Sequence, residues 1–204
     1  MNMAQPGERK QAILQTLAGM LENPKAEKIT TAALAAKLNV SEAALYRHFA
    51  SKAQMFEGLI DFIEQTLFGL INKFCSEEPS GLKQVETIIS MMLGFAQKNP
   101  GMTRVLIGDA LVNEDERLQA RINQLHDRLE ATLRQSLHIA AGAGEIHSTH
   151  EAATANLLMS FVTGRWHQFA KNGFKRLPME LWMEQWNLLA ATWQFDGAAN
   201  ALHK

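Results

Sequence analysis

Between Thr30 and Lys52 the chain concentrates side chains suited to gripping and reading a nucleic acid: Thr30, Thr31, Ser41, Glu42, Ala43, Ala44, Tyr46, Arg47, His48 and Lys52. Hydroxyls at a helix start, together with the unpaired backbone N–H groups there, hold phosphate. Thr30 and Thr31 suit that role. Tyr46 is the chain's only tyrosine; its hydroxyl reaches a phosphate while its ring packs on the protein. Lys52 puts a full charge at the start of the next helix, a good phosphate clamp. Ala43 and Ala44 leave room for base edges and thymine methyls. Arg47 has the fork to read guanine or hold phosphate, and Glu42 could accept from cytosine or only support its helix start. Ser41 is a natural helix cap, and His48 shares the exposed face of the same helix.

Two short helices must cross steeply to hold these groups in place. The first follows Thr30 or Thr31, with Leu34, Ala35 and Leu38 inward. Asn39 tolerates the left-handed backbone that ends it, and Val40 fills the turn. The second spans about Glu42 to Phe49, anchored by Leu45 and Phe49. This is the anatomy of a helix-turn-helix, whose second helix fits a major groove about 12 Å wide. A helix from about Gly7 to Glu22 precedes it, with Ile13, Leu14, Leu17, Ala18 and Leu21 on one face and Asn23-Pro24 as its stop. Ser51-x-x-Gln54 reads as a capping box opening a long helix to about Phe74, with Leu70 in its core stripe.

The remainder is also helical. Expected helices run from Leu82 to Gln97, through residues 102–107, from about Asn113 to Ile139, from a Thr149 cap to Lys171, and from Pro178 to about Trp193. Ala140 to Gly144 reads as a loop. The fold class expected is all-α, about nine helices with no convincing strand. The division expected is a DNA-binding domain over residues 1–53 and a helical dimerisation and partner-binding domain over 54–204.

The 204 residues, 47% hydrophobic and 20% charged, are enough for a sizeable core and ordinary for a globular chain. Cys75 is the single cysteine, so neither an internal disulfide nor a cysteine zinc cage is available, which fits a reducing cytoplasm. No apolar run approaches the roughly 18 residues of a membrane span, and the polar N-terminus is not a signal peptide. The net charge of −1 by itself argues against a nucleic-acid partner. Its distribution reverses that. Residues 1–55 carry seven basic and four acidic side chains, a net +3; residues 56–204 carry thirteen and seventeen, a net −4.

Other chemistry is weak. His147-x-x-His150 beside Glu151 lacks a third ligand at diagnostic spacing. Ala141-Gly142-Ala143-Gly144 lacks the strand and the Lys-Ser/Thr of a phosphate loop. Cys75 has no evident base. Asp109 and the run Glu114-Asp115-Glu116 look like helix-start acids and not a catalytic pair. No metal, cofactor or catalytic activity is expected.

Ile29-Thr30-Thr31-Ala32-Ala33-Leu34-Ala35, followed by Asn39 to Lys52 with Tyr46, Phe49 and Lys52 at their spacing, resembles the DNA-binding domain of TetR-type regulators. Residues 93–105 and 117–125 are similar to a narrower branch, the nucleoid occlusion factors. The resemblance implies a homodimer on palindromic double-stranded DNA, cytoplasmic and nucleoid-associated, that inhibits the tubulin-like division GTPase FtsZ. The alternative is an ordinary repressor released by a small apolar ligand. That would need a cavity of about 300–1,000 Å³ among the fourth to eighth helices, whereas a division inhibitor needs an open groove instead and no such cavity.

Periodicity leaves Phe62 off the core stripe of the long helix, beside Met55, Thr66 and Gly69. Met91, Phe95 and Lys98 lie off the stripe of the next, with Gly94 opposite and Asn99 at its end. These residues either pack under another helix or line a partner groove; the resemblance favours a groove for FtsZ. The last two helices hold all four tryptophans. Phe161, Trp166, Trp182, Trp186 and Leu189 there suit an intrachain core or a dimer interface, and the resemblance favours the dimer.

Overall fold

Apolar residues recur at three- and four-residue spacing along the whole chain, and each such stripe folds as a helix. The computed structural model describes residues 6–23, 29–147 and 150–194. Among them are nine α-helices, a 3-10 turn at Asp109–Leu111 and no strand. α1 (Pro6–Leu21), α2 (Thr31–Lys37) and α3 (Glu42–Tyr46) gather at the start of α4 (Lys52–Glu77). α5 (Gly81–Lys98), α6 (Pro100–Leu106), α7 (Glu116–Gly142), α8 (Glu151–Lys171) and α9 (Trp182–Gln194) complete the body. No helix among the described residues is long and apolar enough to cross a membrane.

Side-chain caps set the helix starts. Thr30, Ser41, Ser51 and Ser80 each accept from the backbone N–H three residues on, at 3.1–3.2 Å, the bond that satisfies an orphan donor of the first turn. The Gln54 amide oxygen answers by accepting from Ala50 N–H at 2.8 Å, one residue earlier than in the usual capping box. Asn39 ends α2 with φ of 55°, as its residue type suggested. α3 is shorter than expected, because Phe49 turns into the core and the chain reverses toward the Ser51 cap. α7 runs on through Ala140 to Gly142, where a loop was expected; alanine favours helix. The expected stop at Pro24 and cap at Thr149 lie outside the described residues.

The core lies where α4, α5, α7 and α8 meet. Leu59, Ile60, Ile63, Leu67, Ile88, Ile89, Met92, Leu118, Ile122, Leu129, Leu158 and Val162 are buried there. Leu70, expected in the stripe of α4, is exposed, and Phe68 takes its place inside. Two helix crossings are so close that only glycine fits. A Cβ on Gly81 would sit 2.2 Å from the Ala140 nitrogen, and one on Gly101 would sit 2.0 Å from the Ala18 carbonyl oxygen. Gly101 thereby lets α6 press against α1. Arg104 reinforces this seam by donating to the carbonyls of Leu21 and Asn23, both at 3.2 Å, completing bonds that a helix C-terminus lacks. Its Nε also holds Asp109 at 2.7 Å, and Lys171 pairs with the same carboxylate. Burial raises the Asp109 carboxyl, but the hydrogen bonds from Lys171 and Arg104 outweigh it and hold it below the usual carboxylate range.

α9 departs most from expectation. It starts at Trp182 and not at Pro178. The buried guanidinium of Arg165 accounts for this: Nη2 donates to the carbonyls of Leu177 (2.8 Å), Pro178 (3.2 Å) and Glu180 (2.7 Å). Those carbonyls converge on one cation instead of aligning along a helix axis, and Leu181 takes a positive φ of 60° before α9 begins.

Candidate nucleic-acid interface

The packing of α3 against α2 brings the predicted phosphate ligands together. Thr31 Oγ1 donates to Glu42 Oε2 at 2.6 Å, and the Tyr46 hydroxyl donates to Thr31 Oγ1 at 3.5 Å. Thr30, Thr31 and Tyr46 thus share one edge of the motif, with Tyr46 exposed. Ala43 is exposed and Ala44 half-buried on the α3 surface. Ser41 caps α3. Glu42 is not the cap; its carboxylate is engaged by Thr31, tying α3 to α2. Arg47 and His48 fall in the turn after α3 instead of on the helix, Arg47 exposed and His48 half-buried.

Lys52 stands at the first position of α4, as the clamp reading required, but it is not idle. Its ammonium lies 2.5 Å from Glu114 Oε1 and 5.6 Å from the centre of the Phe56 ring. Glu114 was legible only as a helix-start acid. Its partner is 62 residues away, and no local signal shows that.

The second surface lies between α4 and α5. Phe62, Thr66 and Leu70 of one helix face Ser90, Met91, Gly94, Phe95 and Lys98 of the other, with Asn99 at one end, around an open groove of about 430 Å³. Phe62 is 41% exposed. Gly69 is exposed on α4 but outside this lining. Asn99 Nδ2 donates to the Phe95 carbonyl at 2.8 Å, and Ser90 Oγ accepts from Trp182 Nε1 at 2.6 Å. Lys98 is an exposed cation at the rim. Leu70 and Ser90 are lining residues that the helical projection missed, Leu70 having been assigned to the core. A second open cleft, about 510 Å³, lies between α1 and α4 and shares Phe62.

The residues expected at a dimer interface divide. Trp166 is fully buried within the chain, donating from Nε1 to the Met92 carbonyl at 3.2 Å. Trp182 and Trp186 are also buried, and the Trp182 ring packs at a tilt against Phe161. The chain's own core claims these three indoles, which corrects their assignment to a partner: Trp166 of α8 meets α5 and α7, and Trp182 of α9 meets α5 and α8. Phe161 and Leu189 are half-buried. The large apolar residues left outside are Leu157 on α8 and Met183 and Leu188 on α9, with Leu177 and Leu181 before it.

Comparison with known proteins agrees with this architecture. Residues 26–59 match the bacterial regulatory proteins of the tetR family, and residues 80–194 match the tetracyclin repressor-like C-terminal domain. The chain is 52% identical to the nucleoid occlusion factor SlmA of Alteromonas mediterranea over 87% of its own length and 92% of the relative's. It is 48% identical to that of a Marinomonas species, over 90% and 93%. Among solved structures, a TetR transcription regulator from Haloarcula marismortui superposes with a TM-score of 0.78 at 14% identity, covering 92% of this chain and 98% of that one. The regulator FadR of Bacillus subtilis, in complex with stearoyl-CoA, superposes with 0.76 at 14% identity, covering 89% and 97%.

Proposed function

The chain belongs to the TetR-type regulators, in the family of nucleoid occlusion factors SlmA, and from that premise we propose how its two surfaces divide the work. It is a DNA-binding nucleoid occlusion factor and not an enzyme. In the proposal, residues 1–53 form the reading domain. Thr30, Thr31, Tyr46 and Lys52 hold phosphates, while Ala43, Ala44 and Arg47 face the bases. Residues 54–204 form the partner domain, with α4 passing from one to the other. Two copies pair through the outer faces of α8 and α9. That sets two recognition helices about 34–36 Å apart on a palindromic site.

The groove between α4 and α5 takes a segment of FtsZ. The inhibitor is then concentrated on the nucleoid, and ring assembly is suppressed over the chromosome. The observation that carries this half is the exposed Phe62 ring standing beside Met91, Phe95 and Lys98. An apolar bed with a cation at its rim suits a short peptide with apolar side chains and a carboxylate. The competing reading, a repressor gated by an apolar ligand, calls for an enclosed cavity; the groove and the neighbouring cleft are both open.

Combining Phe62→Ala with Lys98→Glu should abolish pull-down of FtsZ and leave DNA affinity unchanged. FtsZ binding that survives the double substitution would rule the groove out. Genome-wide occupancy separates the two readings independently. Sites spread around the chromosome fit occlusion, while a single site beside the chain's own gene fits a local repressor.

A further inference from the structure

We propose that Glu114 is an internal stand-in for DNA phosphate: in the DNA-free chain it holds Lys52 against the body, and the DNA backbone must displace it. The proposal rests on the reading of Lys52 as a phosphate contact. Lys52 and Glu114 approach to 2.5 Å with side chains only 20% and 10% exposed, so this is a largely desolvated pair and not a surface contact. The pair crosses from the reading face to the connection between α6 and α7, joining parts of the chain that share no local structure. The same ammonium lies over the Phe56 ring, which holds it folded back along α4.

A carboxylate oxygen and a phosphate oxygen accept the same charge-assisted bond from an ammonium. One ammonium serving both would draw two anions within about 5 Å of each other, and their repulsion opposes that arrangement. Phosphate binding at Lys52 therefore weakens its hold on Glu114. The neighbouring acids do not relieve the conflict: Asp115 caps α7 and pairs with Arg117, and Glu116 lies in the first turn of α7. The competition is independent of base sequence. It lowers occupancy of random DNA by a constant factor, while a site that supplies base contacts remains filled.

The test uses the full chain and a mixed-sequence DNA duplex of about three helical turns, because phosphate contacts carry no sequence information. Glu114→Gln should bind about three- to tenfold tighter at low salt. Glu114→Asp keeps the carboxylate and should bind close to the parent. In a Lys52→Gln background the effect of Glu114→Gln should vanish. If Lys52→Gln weakens binding but Glu114→Gln leaves it unchanged or weakens it too, the proposal is overturned; in the second case Glu114 is a positioning residue for Lys52. If Lys52→Gln leaves affinity unchanged, the reading of Lys52 itself fails, a separate and recognisable outcome. NMR of the lysine ammonium groups in the parent chain needs no substitution. The Lys52 signal should move on adding duplex, and a signal that stays in place overturns the exchange.

Discussion

The Tyr46 hydroxyl donates to Thr31 Oγ1, and Thr31 donates onward to Glu42. Each hydroxyl carries one proton, and in the DNA-free chain both are committed within the motif. The Tyr46 bond is long, at 3.5 Å, and its hydroxyl is exposed, so an arriving phosphate oxygen can draw the Tyr46 O–H away from Thr31 at little cost. Tyr46→Phe keeps the ring and loses that donor. It should raise Kd about threefold to fivefold, by the same factor on unrelated duplexes, as read by fluorescence anisotropy. A loss confined to one sequence would place Tyr46 on bases instead. At this scale the residue types were readable from the sequence: hydroxyls, one tyrosine and a lysine at motif spacing. Their partners were not. Glu42 is engaged by Thr31 because of the angle at which α2 and α3 cross, and Lys52 by Glu114 because the connection after α6 folds back beside α4.

At the scale of elements, helix starts followed from local chemistry and helix contacts did not. Thr30, Ser41 and Ser51 cap the helices their positions suggested, because a capping bond spans three residues and needs nothing distant. The start of α9 was misplaced because its cause is Arg165, on another helix. The seam of α1 and α6 is equally non-local: Gly101 touches the Ala18 carbonyl, and Arg104 completes the end of α1. Gly101→Ala should push these helices apart. The backbone oxygen facing the new Cβ has no rotamer to escape into, so the cost should be about 2 kcal/mol or more. For a chain this size that lowers Tm by roughly 4–8 °C. DNA affinity should fall as well, since α1 supports α2. A melting curve matching the parent would show that the seam yields.

For the whole molecule, the net charge of −1 hides a polarity between a +3 reading segment and a −4 body. So small a positive charge gives one copy little bulk attraction for DNA, and tight binding must come from two copies in register. Leu157 is 56% exposed and Leu188 71%, on the outer faces of α8 and α9. Apolar side chains of that size left outside a filled core are what an isologous interface buries. Leu157→Glu with Leu188→Glu should yield a folded monomer by sedimentation, with DNA affinity reduced at least tenfold and helical content retained. A dimer persisting in the double variant would move the interface elsewhere.

The sequence by itself determined the all-α class, the helix-turn-helix and the hydroxyl, tyrosine and lysine residue types on it that we propose hold phosphate. These depend on spacing along one helix or across one turn, over which the backbone geometry is known. It also left Phe62 off the core stripe, since a helical projection needs only the pitch. The tertiary structure decided which apolar residues are spare and which charges are taken. It drew Trp166, Trp182 and Trp186 inward, turned Leu70 out into the groove, wrapped residues 177–180 around Arg165 and set Glu114 on Lys52. Each of those outcomes depends on how neighbouring helices cross and which face each one buries. Crossing geometry is a property of packed pairs, and neither helix's own sequence contains it.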